Sequence, residues 1–237
     1  MKLIDKRLLE EKSKKYAVEL DTQALERFDT YARLLVEWNE KMNLTAITQP
    51  DEIVMKHFVD CLTFLKYVPV PQGAKLADVG TGAGFPALPL LIARPDLEIT
   101  LIDSLNKRLV FLEAVLRELG LRAEILHCRG EDGGKQRALR EQFDLSCARA
   151  VAGMNVLAEL CLPYVKTGGL FVAMKGADAG DIQNGEAAVR LLGGKIARIE
   201  QFELENYGRR NIAVVEKGSP TPQKYPRSSA RIAKTPL

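Results

Sequence analysis

The sequence predicts an α/β fold, a seven-stranded, mostly parallel sheet with helices on both faces, preceded by a helical extension. Three observations carry this. From Lys75 onward, short apolar runs alternate with amphipathic ones, the pattern of strand and crossover helix. One of those runs, Leu76–Val79, passes directly into Gly80-Thr81-Gly82-Ala83-Gly84 and then Phe85-Pro86, which reads as a strand end, a tight loop and a helix start. Residues 1–72, by contrast, show the three- and four-residue spacing of helices.

Taken in order, Asp21 is placed to cap a helix reaching Asn43, whose buried face is Leu25, Phe28, Ala32, Leu35, Trp38 and Met42. Asp51 can cap the next, with Val54, His57 or Phe58, Cys61 and Leu65 facing inward. Pro69-Val70-Pro71-Gln72-Gly73 then breaks the pattern and delivers the chain to the first strand. Strands are expected near 75–79, 98–103, 123–128, 143–147 and 169–175, with helices near 86–94, 105–119 and 151–163. Gly193-Gly194 introduces two further apolar runs, Ile196–Leu204 and Asn211–Glu216, read as an antiparallel edge pair. Three units follow: the helical extension 1–72, the sheet domain 73–218, and a basic, proline-containing tail 219–237 that the prolines argue against being helical.

In such a sheet, ligands sit beyond the carboxyl ends of the strands. A dinucleotide loop is spaced G-x-G-x-x-G; here the third glycine arrives one position early, at Gly84, and Phe85 stands where that pattern wants glycine. A nucleoside-like ligand without a pyrophosphate suits the loop better. Asp78 is a carboxylate at the strand mouth, and Asp103 ends the next strand about 20 residues on, where a carboxylate would take two ribose hydroxyls; Asp103 is equally suited to capping the following helix. Ser104 and the cations Lys107 and Arg108 follow it. After the third strand, Gly130-Glu131 offers a flexible backbone and an acceptor for an adenine amine, or else a solvated acidic turn. Arg149 and Lys175 end the fourth and fifth strands. Arg149 lies amid small apolar residues, which leaves a core salt bridge or a ligand contact open. His57 and His127 are the only histidines and fit no metal or Ser–His–Asp constellation; both are read as structural.

Composition narrows the class. With 237 residues, 46% apolar and 27% charged, the chain is a globular protein. It has no apolar run long enough to span a bilayer, and its charged N-terminus lacks a signal-peptide core, so a cytoplasmic protein with no membrane partner is expected. Cys61, Cys128, Cys147 and Cys161 have no metal-ligand spacing and are expected as reduced core thiols, with no metal bound. The net charge of +3 is too small to demand a polyanionic partner, but its distribution is uneven. Arg209, Arg210, Lys217, Lys224, Arg227, Arg231 and Lys234 crowd the last stretch, with Tyr225 among them; this is either a solvated tail or cations and an aromatic ring for RNA.

The segments LVEWNEKMNLTAIT, KHFVDCL (56–62), DVGTGAGFPALPL (78–90), IDSLNKR (102–108), ARAVA (148–152), MKG (174–176) and TPQKYPR (221–227), in this order, resemble the bacterial RsmG family, also called glucose-inhibited division protein B. The likeness covers nearly the whole chain, the N-terminal helices included. It implies a Rossmann-like class I S-adenosylmethionine-dependent methyltransferase fold and N7 methylation of one guanine in a decoding-region hairpin loop of 16S ribosomal RNA, with the RNA or the small ribosomal subunit as partner and a monomer as the working form. Carried over by position, the cofactor contacts fall on Gly80, Phe85, the Asp103 region, Gly130-Glu131 and Arg149; the residue reading adds Asp78, Gly82, Gly84 and Ser104 as cofactor candidates and Lys107, Arg108, Arg209, Arg210, Lys224, Tyr225 and Arg227 as RNA candidates. Two positions depart from the family pattern: Gly130 stands where alanine is usual, and Ser228-Ser229-Ala230-Arg231-Ile232 replaces a basic residue followed by a G-x-P turn.

Guanine N7 has a lone pair and no proton to lose, so alignment matters more than proton transfer. Arg149 and Lys175 are accordingly expected as positioning residues on guanine O6, with Lys107 and Arg108 toward phosphates and no general base. Three rivals remain at this level: an RNA-binding or assembly protein that only senses S-adenosylmethionine, a nicotinamide oxidoreductase, and a small-molecule methyltransferase.

Overall fold

A computed structural model describes residues 2–149 and 152–237. Seven strands form one sheet in the order β3-β2-β1-β4-β5-β7-β6. They are β1 Lys75–Val79, β2 Glu98–Asp103, β3 Glu124–His127, β4 Phe143–Arg149, β5 Val165–Lys175, β6 Gly194–Glu203 and β7 Arg209–Lys217. Only β7 runs against its neighbours, pairing antiparallel with both β5 and β6. Strand order reverses between β1 and β4, and it is over that switch point that an open sheet leaves a crevice.

Side-chain alternation along the strands divides the apolar residues between two cores. Leu76, Ile99, Leu101, Leu145, Val172 and Val214 face the N-terminal helices, while Ala77, Ile102, Phe171, Ala173 and Val215 face the other side. On the first face lie α1 Lys6–Lys14, α2 Thr22–Met42, α4 Asp60–Tyr67, α5 Ala87–Ala93 and α6 Asn106–Leu119, with the one-turn α3 Pro50–Glu52 leading into them. On the second lie α8 Met154–Cys161 and α10 Glu186–Leu191; the short α7 Gly130–Gly133, α9 Gly180–Asn184 and α11 Ser229–Lys234 complete the set.

The extension shares the sheet's core. Asp21 caps α2 by accepting from the Ala24 amide at 2.7 Å, as its sequence position suggests. Phe28, Tyr31, Leu35 and Phe58 are fully buried. At roughly 2 kcal/mol for each such side chain, these four together rival the roughly 5–15 kcal/mol by which a domain is stable. Their burial is therefore a large share of what holds the sheet's first face together.

Three local expectations change. Asp51 does not cap its helix: Gln49 takes that place with Pro50 in the first turn, and Asp51 sits one position inside, where its charge still suits the helix dipole. Between α3 and α4, Ile53–Val59 is a π-helical stretch, and its wider turn buries both His57 and Phe58. The tail contains a helix after all, because Ser228 to Thr235 is free of proline and Ile232 has a buried place to go. Val151, the first residue of the helix expected over 151–163, lies outside the described residues, as does Ala150 of the ARAVA segment.

Buried ionic contacts hold the tail down. Glu159 in α8, fully buried, meets the Arg227 guanidinium through both carboxylate oxygens, at 2.8 Å to Nε and 2.6 Å to Nη2. Lys217 is buried and donates to Leu162 O, Val165 O and Thr221 Oγ1, and burial pushes its pKa down to about 8. Arg140 donates to the carbonyls of Gly134, Thr221 and Tyr225. Removing Arg227 leaves the fully buried Glu159 as a dry charge, so Arg227→Ala is expected to cost roughly 3–5 kcal/mol. Urea unfolding of that variant checks the figure, and a loss below about 1 kcal/mol would mean that the pair behaves as a surface contact.

Candidate functional site

The site is built where β1 ends. Gly80, Gly82 and Gly84 all have positive φ, at 75°, 60° and 98°, which confines the loop to glycine. The amides of Gly80 and Thr81 donate to Ile102 O in β2, at 2.9 and 3.1 Å, which pins the loop to the neighbouring strand. A side chain on Gly82 would meet nothing closer than Gly80 O at 4.0 Å, so the loop's upper face is open. Gly84 is different: a Cβ there would stand 2.6 Å from Leu88 Cδ1 and 2.8 Å from the Tyr31 hydroxyl oxygen. Its role is packing, and it does not line the cleft.

That cleft has a volume of about 480 Å³. Gly80, Gly82, Phe85, Asp103, Ser104, Gly130, Glu131 and Arg149 from the sequence reading all line it, together with Arg108. Asp103 is buried and already engaged: Oδ2 accepts from the Gly82 amide at 3.0 Å and from Arg108 at 3.3 Å, and Oδ1 accepts from the Leu105 amide at 2.9 Å. It thus joins the glycine loop to the start of α6 while still facing the cleft. Glu131 is buried as well, and its Oε1 has no hydrogen-bond partner among the described residues. A carboxylate oxygen left dry and unpaired beside an open cleft is an acceptor waiting for a donor from a ligand.

Asp78 does not reach the cleft. It is fully buried beneath the loop, where Oδ2 accepts from Thr81 Oγ1 at 2.7 Å and lies 3.4 Å from the Ala87 amide, while Oδ1 lies 3.6 Å from Cys147 Sγ. The expectation of direct ligand contact gives way to a supporting role, because every approach to this carboxylate is covered by its own loop and helix. Burial pushes its pKa up to about 7, against the pull of the Thr81 and Ala87 hydrogen bonds.

Arg149 makes the core salt bridge, the first of the two readings the sequence left open. Its Nη1 donates to Asp60 Oδ2 and to Lys56 O, each at 2.9 Å, its Nη2 lies 3.1 Å from His57 Nδ1, and its Cζ stands 4.8 Å from the centre of the Phe85 ring. It also forms part of the cleft wall and of a second cavity of about 290 Å³ beside it. That cavity is lined by Lys56, His57, Asp60, Lys175, Arg210 and Asn211, among others. Four cations and one carboxylate line it, and Glu52 beside Lys56 and Asp181 beside Lys175 offset two of those charges, which leaves a modest positive excess.

The remaining cations divide by what they touch. Lys175 is held by Asp181 at 2.6 Å and Ala152 O at 2.5 Å, so its ammonium is anchored at the cavity wall. Arg210 donates to Asp60 at 3.0 Å, and Arg227 belongs to Glu159. Tyr225 is buried, which removes its ring from stacking on a base. Lys107, Arg209 and Lys224 are exposed, with Lys224 over the Tyr225 ring at 5.3 Å. Exposed Arg129, at the cleft rim, joins them from a position that the sequence reading did not select. Asp60, Thr45 and Tyr31 were also missed. Tyr31 donates its hydroxyl to Ala83 O in the loop. The available signal for Asp60 was pairing: a lone arginine amid apolar residues needs a buried carboxylate somewhere else in the chain.

Among the described residues, no group of His, Cys, Asp and Glu is arranged to hold a metal ion, and no helix is long and apolar enough to cross a membrane.

Residues 24–212 match the family model described as GidB, rRNA small subunit methyltransferase G. The chain is 48% identical to a ribosomal RNA small subunit methyltransferase G of Brevibacillus brevis, over 93% of this chain and 94% of that one. It is 44% identical to the protein of the same name from Clostridium beijerinckii, over the full length of both. Among solved structures, a putative methyltransferase of Bacillus halodurans is similar with a TM-score of 0.55 at 12% identity, covering 68% of this chain and 99% of that one. A SAM-dependent O-methyltransferase of Thermotoga maritima gives 0.55 at 17%, covering 79% and 73%. These two likenesses concern the fold.

The Asp78 carboxyl generates a pH prediction. Its folded pKa of about 7 lies above the ordinary 3.8, so the native state holds the extra proton. The stability it contributes is complete below the ordinary value and is lost as the pH rises through about 7. Asp78→Asn, neutral throughout, is expected to gain stability relative to the wild type between about pH 4.5 and pH 7.5 in urea unfolding. A difference that stays constant across that range would show the carboxylate to be charged in the fold.

Proposed function

The chain belongs to the GidB family of small-subunit rRNA methyltransferases, and we propose that it transfers a methyl group from S-adenosyl-L-methionine to N7 of one guanine in 16S ribosomal RNA. The observation that carries the cofactor assignment is the unpaired, buried Glu131 Oε1 facing the same cleft as Asp103. Glu131 would accept from the adenine amine, and Asp103, with one of its oxygens bound to the loop amide of Gly82, would take the ribose hydroxyls. When bound, this cofactor supplies an electrophilic methyl group on a sulfonium. Gly80 and Gly82 leave room for it, Phe85 and Arg149 close one side, and Ser104 and Gly130 complete the wall.

The protein's own part in the reaction is placement. His57 is held neutral by burial and by Arg149, with its pKa pushed down to about 3, and its Nδ1 faces that guanidinium. Asp103 is engaged by three donors. A cavity poor in free bases and rich in cations supports an acceptor that needs no deprotonation and presents oxygen atoms, which fits N7 flanked by O6. The exposed cations Lys107, Arg129 and Arg209 extend the positive surface around the opening toward phosphates. A ribosomal substrate supports a cytoplasmic activity.

The test is transfer of labelled methyl to ribosomal RNA and to small subunits from cells lacking this protein. The expected product is 7-methylguanine at a single small-subunit position. Methyl on another atom would overturn the N7 assignment, and cofactor binding without turnover would favour a sensing or assembly protein. In the same preparation, Glu131→Gln is expected to weaken S-adenosylmethionine binding about tenfold, measured by calorimetry. An unchanged affinity would move the adenine contact elsewhere.

A further inference from the structure

We infer that His57 is a positioning residue for the methyl-acceptor site: as a neutral imidazole with its proton on Nε2, it holds the Arg149 guanidinium at the junction of the cofactor cleft and the second cavity. The inference rests on the function proposed above, and it assigns work to a histidine that sequence spacing alone marks as structural.

The tautomer follows from donor counting. A guanidinium can only donate, so His57 Nδ1, 3.1 Å from Arg149 Nη2, must accept. The ring proton then sits on Nε2, which lies 2.9 Å from Thr45 Oγ1. Thr45 Oγ1 also accepts from the Ile47 amide at 3.0 Å, so the ring is tied through it to the loop after α2. Protonating Nδ1 would set two donors against each other. The other groups at the ring are Lys56 and Asp60 from its own segment and Phe85 from the glycine loop, stacked at 4.3 Å and 15°; the Lys56 carbonyl favours a ring proton, but it already accepts from Arg149 Nη1 at 2.9 Å, and burial and the Arg149 charge outweigh it.

The geometry also separates positioning from packing. The guanidinium is gripped on both terminal nitrogens by one short stretch: Lys56 O and Asp60 hold Nη1, and His57 holds Nη2. That stretch is the π-helical segment Ile53–Val59 running into α4, and π turns are rare outside functional sites. Both His57 and Arg149 belong to the walls of both cavities. If His57 only filled space, any flat ring would serve. If it positions Arg149, an acceptor at the Nδ1 position is required.

Three measurements decide between these. His57→Phe keeps a ring but no acceptor and is expected to lower kcat for rRNA methylation, measured at saturating S-adenosylmethionine, by about tenfold or more. His57→Asn, whose Oδ1 can stand where Nδ1 stood, is expected to recover most of that loss. Ring ¹⁵N shifts of His57 in the wild-type protein, assigned by their disappearance from His57→Asn, are expected to show the Nε2–H tautomer unchanged from about pH 5.5 to 8. Wild-type kcat in His57→Phe, no recovery in His57→Asn, or an Nδ1–H or protonated ring would each overturn the inference. The ¹⁵N measurement needs no variant to fold beyond the assignment step. A wild-type protein that transfers no methyl to RNA, with the tautomer as expected, would instead count against the proposed function.

Discussion

A desolvated guanidinium sets the terms for much of this structure. Arg149 stands at the end of a central strand, with its side chain largely withdrawn from water. Leaving that charge unpaired would cost several kcal/mol, so the fold has to bring it an anion within hydrogen-bonding distance. Asp60 arrives from the N-terminal extension, with Lys56 O and His57 from the same segment. The extension is thus an electrostatic component of the site as well as a cover for one face of the sheet. Asp60 is shared: its other oxygen binds Arg210 in β7, so one carboxylate ties the extension to a central strand and to the strand beyond β5.

The glycine loop shows the same economy with two carboxylates in different states. Asp103 lies at the cleft, accepting from loop, helix start and Arg108, and so orients three elements around the ligand space. Asp78 lies beneath, dry, with its pKa raised by burial. One aspartate is available to a ligand and the other stiffens the floor. Sequence position could not separate them, since both lie within a residue of a strand's end; the difference is which side of the loop each side chain takes.

What could be read from the residues follows from range. Strand and helix alternation, the N-cap at Asp21 and the glycine loop are local, and each appears close to where the pattern puts it. Pairings between distant segments were not legible. Tyr225 and Arg227 look like a free aromatic and a free cation until the fold sets Arg227 against Glu159, 68 positions away. Lys175 looks free until Asp181 takes it. The π-helical stretch was invisible because its residues have ordinary helix propensities, and only packing shows why both His57 and Phe58 turn inward.

The docked tail has a consequence for how the protein is made. Glu159 is fully buried and its partner, Arg227, lies close to the C-terminus; Lys217 likewise draws one of its contacts from Thr221. During synthesis the sheet emerges from the ribosome before either partner does. Until Arg227 follows, α8 carries a carboxylate that cannot be buried without penalty, so this part of the second core waits for a residue that lies 68 positions further along the chain. A message cut short after β7 would then yield a product whose interior charge stays uncompensated, exposed to proteolysis instead of persisting as a partly active enzyme.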